Sequence, residues 1–289
     1  MTEVMALKLW RDHKGDFMIL TPHPSTALEY WFFKVNAGSI ALIVDWIERR
    51  KSNEHVLRVS VHSPHRREVI FEKLASFMPG DNFMDTQKTA GAAGDVAWDL
   101  NIDLGQDVIK PDVFPSNALR MTDTIITSAP LARFTGWIRH GSQQVNLHHE
   151  PGLVSQYWGR QLSLEWWWIS AHQFDRADVA VECVVGRSSL WGTPVQLSLA
   201  YLYLCYQGER KFIVRPGNWA RVTGSHDKFQ IELDRIDREK ITLIGTGREY
   251  GDFGERIINT LTGDLEIRKG DQLFARANGT AALERRFPA

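Results

Sequence analysis

The titratable side chains best suited to proton transfer in this chain lie beside aromatic residues. His172 follows the three tryptophans 166–168, and Asp45 lies inside an apolar run. Histidine exchanges a proton near neutral pH. A carboxyl among aromatic rings has its pKa raised by loss of water, which keeps it protonated as an acid. These residues predict proton transfer to an apolar substrate; the alternative interpretations are a buried structural histidine and an ordinary salt bridge at Asp45.

Two tyrosines add hydroxyl groups to this chemistry. If the turn of an N-terminal hairpin places Asn36 opposite Ser39, then Tyr30 lies opposite Asp45 on one face of the sheet. Tyr201 lies in a second aromatic, strand-like run. A tyrosine hydroxyl in an apolar wall orients the few polar atoms of a ligand. The predicted catalytic set is His172, Asp45, Tyr30 and Tyr201.

Large aromatic side chains are predicted to supply the binding surface. Because side chains alternate along a strand, the outer two of tryptophans 166–168 face one way and the middle one faces the other. Such a strand is typical of the boundary between a packed core and a lined cavity. The aromatic residues 30–33 alternate in the same way, so only one pair of them can line a given cavity. The predicted substrate-binding set is Trp31, Phe33, Trp166, Trp168 and Tyr203.

The elements that must position these residues are predicted to be strands. Two aromatic runs, 28–36 and 39–48, flank a short Asn-Ala-Gly connection, which is typical of a β-hairpin. Many further short apolar stretches are separated by Gly, Asn or Asp turns, and helical periodicity is scarce. This pattern predicts an all-β chain of antiparallel barrels or sandwiches with few short helices. We place the boundary between an N-terminal β domain, 1–160, and a C-terminal β-barrel domain, 161–289.

Length and charge exclude several classes of function. The chain has 289 residues, 43% of them hydrophobic, and a net charge of -1. This length suits one large or two modest domains, and a near-neutral chain lacks the basic surface that nucleic acid requires. No apolar stretch approaches the roughly 18 residues of a membrane span. The N-terminal residues do not resemble a secretory signal, which favours a cytoplasmic protein.

The sequence contains no motif for a cofactor or a metal. Glycine-rich phosphate loops and dinucleotide fingerprints are absent. His148 and His149 are adjacent on a predicted strand, so they point to opposite faces and do not easily converge on one ion. Cys183 and Cys205 are typical of buried free thiols, and a disulfide would need their Cβ atoms to approach closely. We expect neither metal nor cofactor.

Two surface features are left open by the sequence. The stretch 79–95 is rich in glycine and alanine and shows no strand pattern, which predicts a long loop, either a lid or disordered. Exposed strand edges and aromatic rims would be covered by a homodimer or by such a lid.

The aromatic segments resemble those of the lipocalin-like superfamily of carotenoid 1,2-hydratases, tocopherol cyclases and natural-product cyclases, Diels-Alderase-like members included. In that superfamily an early aromatic hairpin opens a first barrel. A Trp-Gly-Arg segment followed by a Trp-x-Trp-Ile/Val strand opens a second barrel. The matching residues here are Trp31, Phe32, Phe33, Trp158, Gly159, Arg160, Trp166, Trp168 and Ile169. The resemblance implies two tandem lipocalin-like barrels.

The resemblance also implies a reaction on a hydrophobic small molecule without a redox cofactor. Some relatives carry an Asp-His pair before the Trp-Gly segment, where this chain has Gln156 and Tyr157, and this difference favours cyclisation over hydration. We predict a cyclase that closes a ring in an apolar polyene, polyketide or prenylated intermediate, by a proton-initiated or a pericyclic (4+2) step. The alternatives are a carotenoid or isoprenoid hydratase and a non-catalytic binding protein for a hydrophobic metabolite.

Overall fold

The chain forms β-strands almost throughout, as the sequence predicts. A computed structural model describes residues 19–64, 66–109, 124–189, 193, 195–206, 208–216, 220–236 and 239–288. The one helical element in these ranges is a 3₁₀ turn, Arg50–Ser52. The all-β prediction with few short helices is confirmed. No helix in the described ranges has the length and apolar character needed to cross a membrane.

The first nine strands form one antiparallel sheet. Their bounds are β1 Leu28–Ala37, β2 Ile40–Arg49, β3 Glu54–Ser63, β4 Arg66–Lys73, β5 Phe83–Met84, β6 Lys88–Ala93, β7 Val96–Asp103, β8 Thr124–His140 and β9 Gln143–Gly159. The order across the sheet is β4-β3-β2-β1-β9-β8-β7-β6-β5. The stretch 79–95 was predicted to lack strands, and this is wrong because β5 and β6 both lie within it.

The remaining strands form a second antiparallel sheet. Their bounds are β10 Glu165–Ala171, β11 Ala180–Ser189, β12 Gln196–Tyr206, β13 Glu209–Pro216, β14 Ala220–Gly224, β15 Lys228–Ile236, β16 Glu239–Thr246, β17 Gly251–Asp252, β18 Ile257–Lys269 and β19 Gln272–Arg286. The order is β13-β12-β11-β10-β19-β18-β16-β15-β14, and β17 pairs with β18. The boundary proposed at residue 160 falls between the two sheets, and independent folding of the two parts stays a prediction.

The N-terminal hairpin forms as predicted but in a different register. Ala37 pairs with Ile40 across the turn, and Gly38 adopts a left-handed φ of +54° that a two-residue turn of this kind requires. Phe32, not Tyr30, therefore lies opposite Asp45. The register differs by two residues, so the predicted faces are kept and Asp45 still shares a face with the even-numbered aromatic residues.

Each sheet curls around its own apolar core. In the first sheet, Trp31 and Phe33 point inwards, and the Phe33 ring lies 5.6 Å from that of Phe134. In the second sheet, the Trp167 ring packs 4.7 Å from that of Phe229. The alternation of side chains on β1 and β10 therefore sends one aromatic row from each strand into a core and leaves the other row outside.

The outward rows of the two sheets face each other across a seam. Ile43 and Leu153 of the first sheet pack with Trp168, Leu261 and Ala282 of the second. Cys183 and Cys205 are both free, as predicted, but only Cys183 is fully buried. The seam, and not the interior of either sheet, is where the two halves of the chain can enclose a ligand.

Candidate functional site

A cavity of about 110 Å³ lies in the seam, with walls from both sheets. Side-chain alternation on β1 turns Tyr30 and Phe32 into it, and alternation on β10 turns Trp166 and Trp168 into it. The rings of Phe32 and Trp168 meet edge to face, with centroids 6.1 Å apart. The cavity is therefore an aromatic chamber built where two outward rows meet.

Two buried carboxyls come from the strands on either side of β10. Glu182 on β11 lies opposite Ser170, and Glu284 on β19 lies opposite Trp168. Both line the cavity, with 1% and 9% of their surface exposed. Because β10 has a neighbour on each side, the two acids approach the tryptophan row from both edges.

Glu284 is the better placed of the two for proton transfer. Its Oε1 accepts a hydrogen bond of 2.7 Å from Nε1 of Trp166. Burial raises the pKa of Glu284 to about 7, although Arg58 and the Trp166 hydrogen bond act in the opposite direction. This carboxyl therefore exchanges its proton near neutral pH inside an apolar chamber.

Glu182 is held by neutral donors. Ser128 donates to Oε2 of Glu182 at 2.7 Å, and Nε1 of Trp168 donates to Oε1 at 3.4 Å. Burial raises the pKa of Glu182, while the hydrogen bonds oppose the rise. The Tyr201 hydroxyl has no aligned hydrogen-bond partner. Burial together with the nearby Glu182 raises the pKa of Tyr201 well above its usual value, so the hydroxyl stays protonated.

The third carboxyl in the chamber, Asp45, is paired. Nε of Arg58 donates to Oδ2 of Asp45 at 3.0 Å, and both side chains are about 95% buried. Burial raises the pKa of Asp45, and the charge of Arg58 opposes that rise. Arg58 also stacks on the Phe253 ring, 3.7 Å from its centroid, and donates to the Phe253 carbonyl. The pair forms a fixed polar wall rather than a mobile acid.

Tyr30 connects the chamber wall to the segment between β17 and β18. Its hydroxyl donates to Oε2 of Glu255 at 2.8 Å, and Glu255 in turn pairs with Arg49. Burial and the charge of Glu255 raise the pKa of Tyr30 well above its usual value. The phenol is therefore a hydrogen-bonding group here and keeps its proton at neutral pH.

Several predicted site residues meet in the chamber and others do not. Five of the predicted set line it: Tyr30, Asp45, Trp166, Trp168 and Tyr201. Trp31 and Phe33 face the first core instead, because they belong to the opposite row of β1. Tyr203 donates a 2.9 Å hydrogen bond to Asp107, away from the chamber.

His172 also lies away from the chamber. It follows the end of β10 and lines a separate cavity with Cys205. Its Nε2 donates to the Pro130 carbonyl at 2.8 Å, which leaves Nδ1 without a proton and without a described partner. Burial, with the nearby Lys34, lowers the pKa of His172 well below its usual value. The imidazole is therefore neutral.

Sequence reasoning missed Glu182, Glu284 and Arg58. Glu182 is a single acid inside the apolar strand β11, which was a usable signal of a buried carboxyl. Glu284 precedes two arginines and reads as surface charge. Among the described residues, no three His, Cys, Asp or Glu side chains come together as metal ligands would.

Three solved structures share this architecture. Kievitone hydratase from Nectria haematococca has a TM-score of 0.64 at 8% identity, covering 96% of this chain and 94% of its own. An AttH-like protein from Nitrosomonas europaea has a TM-score of 0.62 at 11% identity, covering 94% and 97%. CghA, solved with Sch210972, has a TM-score of 0.60 at 13% identity, covering 91% and 89%. No family model and no curated protein matches the sequence. The structural likenesses confirm the predicted lipocalin-like fold.

Proposed function

We propose that the seam cavity binds an apolar, unsaturated small molecule and transfers a proton to it, so that a ring closes. Two buried carboxyls among aromatic rings carry this proposal. Glu182 and Glu284 both line the chamber, and neither forms an ion pair with a described cation. A buried acid that forms no ion pair keeps its proton to higher pH, and protonation of an alkene requires such an acid.

Glu284 is assigned as the proton donor, because general acids work best with a pKa near the operating pH. Its proton adds to one carbon of a double bond and leaves a positive charge on the neighbouring carbon. A second double bond donates its electron pair to that carbon, which forms the ring. Loss of a proton to the Glu284 carboxylate then gives a product isomeric with the substrate, so the step needs no oxidant or reductant.

The aromatic rings suit the cationic stage of this reaction. Trp166, Trp168 and Phe32 all line the chamber, and an aromatic face stabilises a cation by about 0.5 to 2 kcal/mol. A substrate that fills the chamber would displace water, which would otherwise capture the cation. A cavity of about 110 Å³ encloses the reacting part of a substrate, since one water needs roughly 10 to 15 Å³ by this measure.

Hydration is the second candidate, and the Asp45–Arg58 pair favours it. A polar wall beside an aromatic chamber is a suitable site for one ordered water. The first step would be the same protonation, after which the water oxygen bonds to the cation and its extra proton returns to the carboxylate. The structural neighbour named kievitone hydratase shares the fold and adds weight to this alternative.

Comparison of metabolites with and without this gene tests the proposal. We expect an acyclic compound to accumulate whose mass equals that of the lost product. A lost product heavier by one water would instead support hydration. If no compound changes structure and only amounts shift, catalysis is overturned in favour of a binding protein. Complementation with Glu284→Gln should fail, while complementation with the matched surface control Glu209→Gln, 67% exposed, should succeed.

A further inference from the structure

We infer that the substrate carries an anionic head group, a carboxylate or an equivalent delocalised anion, which binds in a basic outer cavity while the apolar part enters the chamber. This inference rests on the proposed function and names the class of its substrate. The outer cavity has a volume of about 460 Å³. It is lined by five basic side chains and one acid: Arg49, Lys51, Arg160, Arg256, Arg286 and Glu255.

The outer cavity adjoins the chamber directly. Leu162 lines both. The guanidinium carbon of Arg286 lies 5.4 Å from the centroid of the Trp166 ring, and the Arg286 side chain also donates to the carbonyl of Ser163, a residue of the chamber wall. A molecule with one polar end can therefore lie across this junction, with its head among the arginines and its tail beside Trp166.

The positive charge of the outer cavity is only partly compensated. Glu255 pairs with Arg49, which also binds Glu54 at 2.9 Å. Arg286 donates to two backbone carbonyls, and neither it nor Arg256 forms an ion pair with a described carboxylate. Since the whole chain carries a net charge of -1, this concentration of cations is local.

The backbone beside the outer cavity is strained. Glu255 and Arg256 both adopt left-handed φ values, of +55° and +63°. Such conformations are unfavourable for non-glycine residues, and they persist where the surrounding structure holds them. Here they lie between β17 and β18 and bring Arg256, an exposed side chain, to the rim of the outer cavity.

Guanidinium groups indicate the chemistry of the head group. Their planar forks bind carboxylates and similar planar anions through two parallel hydrogen bonds. A basic cavity at the entrance also raises the rate at which anionic ligands arrive, and salt screens that attraction. An apolar acid fits both cavities, whereas a neutral hydrocarbon of the same length fits only the chamber.

Titration calorimetry with two probes of equal chain length, n-octanoate and 1-octanol, tests this inference. At low salt we expect octanoate to bind at least 10-fold more tightly, and we expect this preference to shrink in 0.5 M salt. The double variant Lys51→Gln/Arg256→Gln removes two exposed cations and should reduce the preference to less than 3-fold with octanol affinity unchanged. Arg248→Gln, a control at a side chain 79% exposed elsewhere, should retain the full preference.

The outcomes separate this inference from the proposed function. If both probes bind with equal affinity, the anionic head group is overturned and the apolar chamber stands. If the preference survives in the double variant, the basic cavity is not its source and the inference is again overturned. If neither probe binds, the chamber does not accept apolar ligands, and the proposed function is overturned together with this inference.

Discussion

The seam between the two sheets has an open end and a closed end, and a single face of β1 contributes to both. Tyr30 and Phe32 line the chamber, whereas Lys34 and Asn36, further along the same face, do not line any described cavity. Both ends bury ionisable groups. The two ends therefore differ in what surrounds those groups and not in whether they are buried.

At the closed end, polar atoms of the first sheet bind the backbone of the second. The Lys34 ammonium lies 3.4 Å from the Ser170 carbonyl and 3.3 Å from the Thr280 carbonyl. The Asn36 amide donates to the Leu261 carbonyl at 3.1 Å. At the open end, Glu284 accepts a hydrogen bond from Trp166 of its own sheet and lines the chamber. A buried polar group that bridges the sheets holds the seam together, and one that faces a cavity is available to a ligand.

The largest expected effect comes from removing the proposed acid at the open end of the seam. Glu284→Gln removes the proposed acid while keeping the size and the hydrogen-bond acceptor of the side chain, so turnover should fall about 100- to 10,000-fold. The measurement is the rate of product formation with the substrate that the metabolite comparison identifies. Circular dichroism should show an intact fold. Full activity in the variant would remove Glu284 from the mechanism.

The next effect concerns the closed end. Burial lowers the pKa of Lys34 from 10.5 to about 7. The charged ammonium is therefore less stable in the folded state than in the unfolded state, where it keeps its proton up to about pH 10.5. The resulting instability is complete below pH 7 and disappears as the pH approaches 10.5. The stability of Lys34→Met relative to wild type should therefore be higher at pH 6 than at pH 10.5, on the order of 5 kcal/mol, in urea unfolding, whereas the loss of the two carbonyl contacts costs the variant the same at both pH values. A stability gain that is independent of pH would contradict a charged origin.

A third prediction contrasts the two ends by the sign of their pH dependence. Glu284 has its pKa raised from 4.5 to about 7, so its contribution to stability is complete below pH 4.5 and is lost as the pH rises through 7. Glu284→Gln should be more stable than wild type by about 3 kcal/mol at pH 8 and by little at pH 4.5. Lys34→Met shows the reverse trend. Parallel pH profiles for the two variants would refute the contrast.

The smallest expected effect concerns the hydrogen bond from Trp166 that lowers the pKa of Glu284. The indole hydrogen bond lowers the pKa of Glu284, so Trp166→Phe should raise it. The pH at which activity falls, because Glu284 ionises, should then rise. A hydrogen bond worth about 1 kcal/mol corresponds to a rise of about half to one pH unit. A pH–rate profile measures this shift. A shift in the opposite direction would show that Trp166 does not bind the catalytic carboxyl.

The sequence predicts the fold well because alternation is a local property. The aromatic rows of β1 and β10 follow from side-chain direction alone, and the faces survive even the two-residue change in hairpin register. Alternation does not say which row faces a core. Both rows of β1 are aromatic, so the choice of Tyr30 over Trp31 for the chamber depends on the second sheet packing outside the first.

The remaining site residues escape local reasoning for two physical reasons. Glu182 and Glu284 become neighbours of the tryptophan row only through pairing of β10 with β11 and β19, which no single segment encodes. His172 lies just beyond Ala171, where β10 ends. Side-chain alternation holds only within a strand, so extending the row to His172 placed it in the chamber, whereas its ring lies beside Pro130.

The pairing of β10 with β19 also determines the stage of folding at which the chamber is completed. Trp166 and Glu284, joined by a hydrogen bond, are 118 residues apart in the chain. Contacts of such long range form late in folding, because much of the intervening chain must be ordered before they can be made. The first sheet, which packs against the outward row of β10, precedes it in the chain, whereas the β19 wall of the chamber, with Glu284, comes from the last strand. The tryptophan row can therefore pack on the first sheet early, and the carboxyl proposed to act on the substrate joins the chamber only when the last strand pairs.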